Sequence, residues 1–128
     1  MTFLVVDDSR PTRNLIKNYV GAMSLGSPSR FLEAENGEAA LLTLASYGVD
    51  FVFLDWNMST KMTGLDVLKE IRKLNQHTKT PVFMITSESD KYNVIEALKF
   101  GANDFIAKPI DQKAFSDKLM KLIKGKVE

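Results

Sequence analysis

Three observations predict a single α/β domain built on a parallel sheet with helices on both faces. First, the chain has 128 residues and a mass of 14.4 kDa, enough for one ordinary domain and too little for two. Second, Phe3–Val6, Phe51–Leu54 and Val82–Ile85 are short apolar blocks rich in β-branched and aromatic residues. They are too short for helices and do not alternate with polar residues, so they read as strands buried on both faces. Third, the stretches between them carry apolar residues at helical spacing. Strands that alternate with single helices require right-handed crossovers, and those make the sheet parallel.

Taken in order, Phe3–Val6 is the first strand. Ser9 caps the first helix, with Pro11 in its first turn and Leu15, Ile16, Tyr19, Val20 and Met23 forming its apolar stripe. The polar turn Gly26–Ser29 leads into the second strand, Arg30–Ala34, the least hydrophobic of the five and therefore an edge. Ala40, Leu41 and Leu44 mark the second helix, which stops near Gly48. After the Phe51–Leu54 strand, Leu65, Leu68, Ile71 and Leu74 mark the third helix, and Val82–Ile85 follows as the fourth strand. Asp90 caps a fourth helix, Tyr92–Lys99, which ends at Gly101, and Asp104–Ala107 is a weak fifth strand. Asp111 caps the last helix, whose inner face carries Phe115, Leu119 and Leu122. That makes five strands and five helices, with no internal repeat and no low-complexity tract.

Composition removes several function classes. At 45% hydrophobic and 26% charged, the chain is unlike a disordered tail, a collagen or a coiled coil. Seventeen Lys and Arg against sixteen Asp and Glu give a net charge of +1, so no bulk field draws it to nucleic acid or anionic lipid. Without cysteine there is no disulfide framework, thiolate zinc site or Cys nucleophile. Apolar runs of only a few residues predict no membrane insertion, and a cytoplasmic location is expected.

In a sheet of this kind, ligands bind outside the carboxyl ends of the strands, where the strand order reverses. Asp7 and Asp8 end the first strand and Asp55 follows the third. Were those strands neighbours, three carboxylates would converge, and their repulsion would weaken the fold unless a cation offsets it. A cluster offering only oxygen suits a hard ion, and Mg²⁺ is the expected occupant. The plainer reading has Asp7 and Asp8 capping a helix and Asp55 merely ending a strand. Thr86 and Lys108-Pro109 fall at the same edge of the sheet. Alone, Thr86 is a turn former and Lys108 an ion-pair partner. Together with a metal and a carboxylate they provide charge neutralisation and positioning for a phosphoryl group, which an Asp carboxylate can accept covalently.

The set Asp7-Asp8, Asp55, Thr86 and Lys108-Pro109 resembles the receiver domain of two-component response regulators, and the likeness runs from Phe3 to about Lys124. Within that family, Asp55-Trp56-Asn57-Met58 is similar to the acceptor segment of the stand-alone chemotaxis regulators, and almost nothing follows the fifth helix. The resemblance implies a doubly wound, flavodoxin-like (βα)5 fold with strand order 2-1-3-4-5, and residues 1–128 as one receiver domain. It implies that Asp55 is the phosphoacceptor and that Asp8 and Asp55 ligate Mg²⁺ directly. Asp7 would hold a metal-bound water, and the main-chain carbonyl of Asn57 would supply a further ligand. Lys108 would contact the phosphoryl oxygens. Thr86 would move toward the phosphoryl group and Phe105 would turn inward, coupling the site to the surface of the fourth helix, fifth strand and fifth helix. The family more often has Tyr where Phe105 stands, so this switch lacks a hydroxyl, and a plain core role for Phe105 is the competing reading. Asn57 and Glu88 stand where the family sets the lifetime of the phosphoryl group, and the pair resembles quickly resetting regulators, implying seconds to minutes. A solvated loop charge is the alternative for Glu88. The chain departs from the pattern at Ser59, where the family usually has Pro, and the run Ser59–Thr63 is one residue longer than typical.

The implied partners are a sensor histidine kinase or its phosphohistidine domain, and an output protein such as a flagellar motor switch component. No direct contact with nucleic acid is expected. A receiver cut from a longer DNA-binding regulator would carry the same residues. An aspartate-based Mg²⁺ phosphohydrolase would share the carboxylates and Lys108, but needs a second acid two residues after Asp55, where Asn57 stands. A flavodoxin-like FMN carrier conflicts with three carboxylates at the cofactor's phosphate position. Among the remaining features, His77 in its polar run reads as a solvated loop residue, and Met58 and Met62 as loop packing. Lys113, Lys118, Lys121 and Lys124 read as a solvated helix face, with an acidic, amphipathic partner segment entering only if Met120 and Ile123 are exposed beside them.

Overall fold

Strands and helices alternate from end to end in the computed structural model, which describes residues 1–58, 61–87 and 91–127, the side chains of 91–93, 126 and 127 excepted. The elements are β1 (Thr2–Val6), α1 (Arg10–Gly21), β2 (Arg30–Ala34), α2 (Gly37–Ser46), β3 (Phe51–Asp55), α3 (Gly64–Lys73), β4 (Val82–Ser87), α4 (Lys91–Lys99), β5 (Asp104–Lys108) and α5 (Gln112–Val127). A 3₁₀ turn, Asn75–His77, lies between α3 and β4. All strand pairs are parallel, in the order β2-β1-β3-β4-β5. This is the flavodoxin-like order expected above, with β2 at an edge.

Alternation along the strands sorts the core into two layers. Leu4, Val6, Val52, Leu54, Val82 and Met84 pack with Ala40, Leu44, Leu68 and Ile71 of α2 and α3. Phe3, Val5, Phe51, Phe53, Phe83 and Ile85 pack with Ile16 and Val20 of α1 and Phe115 and Leu119 of α5. The second layer is largely aromatic, with Phe53 5.4 Å from Phe115 between ring centroids.

Local chemistry sets the helix starts. Ser9 Oγ accepts from Thr12 N, and Asp111 Oδ2 accepts from Ala114 N at 2.9 Å. Two further caps escaped the sequence reading: Asn36 on α2, and a capping box in which Thr63 and Asp66 bond each other's main chain at the start of α3. Asp90 lies outside the described residues. Gly101 ends α4 at φ +100°, where a Cβ would also come within 2.9 Å of Arg72 Nε.

Two surface expectations change. His77 is not solvated: it is 3% exposed, because the 3₁₀ turn directs its ring under α2. Nε2 donates to the Leu44 carbonyl at 3.0 Å, and the Thr80 hydroxyl bonds Nδ1 at 2.8 Å. Ile123 is buried and Met120 packs half-buried against the aromatic layer, so the condition for an acidic partner segment on α5 is not met.

Candidate functional site

The strand order places the carboxyl ends of β1 and β3 side by side. Val6 pairs with Leu54, so Asp7, one residue past the end of β1, stands beside Asp55, the last residue of β3, which still pairs with Ile85 of β4. Asp7 and Asp55 are almost fully buried and Asp8 is exposed, and one carboxylate oxygen from each lies within 4.8 Å of the others. The convergence expected from sequence is therefore present.

Each buried carboxylate is held by the main chain. Ser9 N donates to Asp7 Oδ1 at 2.8 Å, and Asn57 N to Asp55 Oδ1 at 3.3 Å. Lys108, at the end of β5, reaches back so that Nζ is 3.5 Å from both Asp7 Oδ2 and Asp55 Oδ1. One ammonium thus faces two buried carboxylates, at ion-pair range and not in close hydrogen bonds. The electrostatic consequence is visible at Asp55. Burial, and next the charge of Asp7, push its pKa up to about 6, against Lys108 and the Asn57 N–H. Asp7 is likewise raised, chiefly by burial, with Ser9 N–H and Lys108 opposing.

Thr86 is 3% exposed near the end of β4, its hydroxyl donating to Ser87 O. It pairs with Ala107 while Met84 pairs with Phe105, so Thr86 and Phe105 are diagonal neighbours on one face of the sheet. Phe105 is half-buried against the α2 and α3 layer, and Lys118 Nζ sits 4.3 Å from its ring centroid and also donates to its carbonyl. Glu88, Ser59 and Thr60 lie outside the described residues. Met58 and Met62 pack partly buried against the α2 and α3 layer, as expected.

Beyond Met62, Gly64 N donates to Trp56 O at 3.0 Å, closing the loop beneath Asp55. A Cβ on Gly64 would stand 2.6 Å from Asp55 O and 2.7 Å from Trp56 Cα. Both are main-chain atoms that cannot turn aside. Gly64→Ala is expected to cost about 1–3 kcal/mol of stability, measured by urea unfolding, and an unchanged midpoint would show that the loop yields without strain.

Sequence reasoning passed over Arg13. It is 6% exposed on the inward stripe of α1 with Ile16 and Val20, and Nη1 donates to Asp7 O at 2.7 Å. The available signal was a charged residue three and seven positions before two apolar residues on a buried helix face.

A five-stranded parallel sheet with an acidic cluster, a lysine and a threonine at its carboxyl edge defines a receiver. The chain belongs to the response regulator receiver domain family, whose model matches residues 3–120. It is 40% identical over 120 residues to the chemotaxis protein CheY1 of Helicobacter pylori, covering 93% of this chain and 94% of that protein. The crystallised chemotaxis protein CheY4 of Vibrio cholerae superimposes with a TM-score of 0.82 at 26% identity, over 94% of this chain and 96% of that one. The receiver domain of NtrX from Brucella abortus gives 0.82 at 30% identity, over 95% and 98%. Among the described residues no helix is long and apolar enough to cross a membrane.

Proposed function

We propose that residues 1–128 work as one phosphoacceptor switch in a two-component chemotaxis pathway, with Asp55 as the acceptor. The observation that carries this reading is Lys108 Nζ at 3.5 Å from both Asp55 and Asp7 within a cluster of three carboxylates. The donor set consists of hard oxygens with one ammonium against two buried carboxylates, which fits a small divalent cation. Asp8 and Asp55 would hold Mg²⁺ directly, Asp7 through water, and Asn57 through its main-chain carbonyl. When bound, Mg²⁺ supplies charge neutralisation for the phosphoryl oxygens.

Asp55 Oδ attacks phosphorus while the bond from phosphorus to the donor, a kinase phosphohistidine, breaks on the opposite side. The electron pair of that bond goes to the imidazole nitrogen, and a ring already protonated at its other nitrogen leaves as neutral imidazole. Lys108 pairs with the phosphoryl oxygens where it now pairs with the two carboxylates. Thr86, buried one strand away, bonds the arriving group, and Phe105 follows inward into the space that Thr86 leaves. That movement alters the α4-β5-α5 face and its affinity for an output protein, with a flagellar motor switch component as the partner that fits a chemotaxis regulator. Water then cleaves the aspartyl phosphate to free Asp55 and inorganic phosphate, at a rate set at Asn57 and Glu88. The chain thereby catalyses only its own phosphorylation and dephosphorylation, and it acts in the cytoplasm, where the kinase presents its phosphohistidine.

Intact-mass measurement with acetyl phosphate tests this reading. The chain is expected to gain one phosphoryl group with MgCl₂ present and none with excess EDTA. Steady turnover of a generic phosphomonoester would favour a phosphohydrolase instead.

A further inference from the structure

Asp7 leaves β1 where the ladder ends. Its N–H still donates to Ala34 O at 3.1 Å, but the last paired residue of β1 is Val6, which pairs with Ala34 and Leu54. Its carbonyl belongs to the peptide joining Asp7 to Asp8, and it accepts from Arg13 Nη1 at 2.7 Å. Arg13 is in turn fixed by Glu33, with Nε to Oε1 at 3.0 Å, and Nη2 lies 4.0 Å from Glu35 Oε1. Lys17 Nζ holds the other oxygen of Glu33 at 3.1 Å. A planar fork suits this task, since Nη1 can hold the peptide oxygen while Nε, in the same rigid plane, is fixed by Glu33; an ammonium has no such plane. Burying a guanidinium is costly unless it is well paired.

We infer that Arg13 is a positioning residue, holding the peptide between Asp7 and Asp8 and so setting the affinity of the carboxylate cluster for a divalent cation. The inference rests on the cation-binding reading above. Partners that orient metal ligands typically change affinity 10- to 100-fold when removed. The sign separates positioning from charge. Removing a cation beside an acidic site strengthens divalent binding by Coulomb attraction alone, whereas losing the orientation of Asp7 and Asp8 weakens it.

The test is calorimetric titration of the full chain with MgCl₂, well below the melting temperature of each variant, with thermal melts recorded without Mg²⁺. Arg13→Met, which keeps the apolar stem, is expected to raise the Mg²⁺ Kd about tenfold. Arg13→Lys, which keeps the charge and the fold but not the fork, is expected to raise it several-fold, and it decides the matter if Arg13→Met does not fold. Lys17→Met, which touches Glu33 but not Asp7, is expected to leave Kd within about twofold, in the range of a surface pair. Arg13 variants that bind Mg²⁺ as tightly as the parent or tighter would overturn the inference, and so would equal weakening in Lys17→Met. A parent chain that takes up no Mg²⁺ overturns the proposed function itself, and the role of Arg13 with it.

Discussion

Asp55→Asn is expected to abolish phosphoryl acceptance from acetyl phosphate to below detection while leaving the fold intact. An amide oxygen is a far weaker nucleophile than a carboxylate, and among the described residues no other carboxylate combines the same burial with a bond from Asn57 N and the ammonium of Lys108. The substitution is nearly isosteric. Asn at this position still offers an oxygen to Asn57 N–H, and Lys108 keeps Asp7 as its partner. Trp56, the only tryptophan, is 8% exposed and next in sequence to Asp55, so its fluorescence reports the site. In the parent chain, Mg²⁺ and then acetyl phosphate should each quench it. In Asp55→Asn the phosphodonor step should vanish. A surviving phosphodonor response would place the acceptor elsewhere.

The second large effect concerns stability without metal. Burial and the charge of Asp7 raise the folded-state pKa of Asp55 to about 6 from the ordinary carboxylate value of 3.8, so the folded chain binds this proton more tightly than the unfolded chain. Stability therefore falls as pH rises from about 4 through about 6 and is level above, as far as this group contributes. The difference between the folded and unfolded chains in their hold on this proton corresponds to roughly 3 kcal/mol. Asp55→Asn removes the titrating group and is expected to raise stability at pH 7.5 by about 2 kcal/mol in EDTA, with a flatter pH profile. Mg²⁺ should narrow the gap by stabilising the parent chain through binding to its folded state. Urea unfolding across pH 4–8 measures both. A metal-free parent chain at least as stable at pH 7.5 as Asp55→Asn would mean that the carboxylates are not in electrostatic conflict.

The same physics explains which parts were legible in the sequence. Uninterrupted apolar blocks such as Phe51–Leu54 announce central strands, because only burial on both faces tolerates them. Asp7, Asp8 and Asp55 were legible because carboxylates at strand ends repel unless something holds them together. The neighbouring of β1 and β3 was not written in the residues and came from family likeness, since pairing order depends on crossovers that leave no local mark. His77 was misread because Asn75–Lys79 is uniformly polar, and burial there depends on Leu44 O, a main-chain acceptor that no sequence pattern displays. Arg13 was missed for a related reason: its partner is the carbonyl of Asp7, and its side-chain partner Glu33 is twenty residues on, in the edge strand β2. Thr63 and Asp66 follow a recognisable capping pattern, the side chain of each bonding the other's main chain.

The most direct measurement is a crystal structure of the chain grown with Mg²⁺ and beryllium trifluoride, which stands in for a phosphoryl group. The expected density shows the beryllium bonded to a carboxylate oxygen of Asp55, with Lys108 on its fluorines and the cation held by Asp8, Asp55 and the carbonyl of Asn57. Beryllium bound at another residue, or a saturated crystal with neither ion beside Asp55, would contradict the phosphoacceptor assignment.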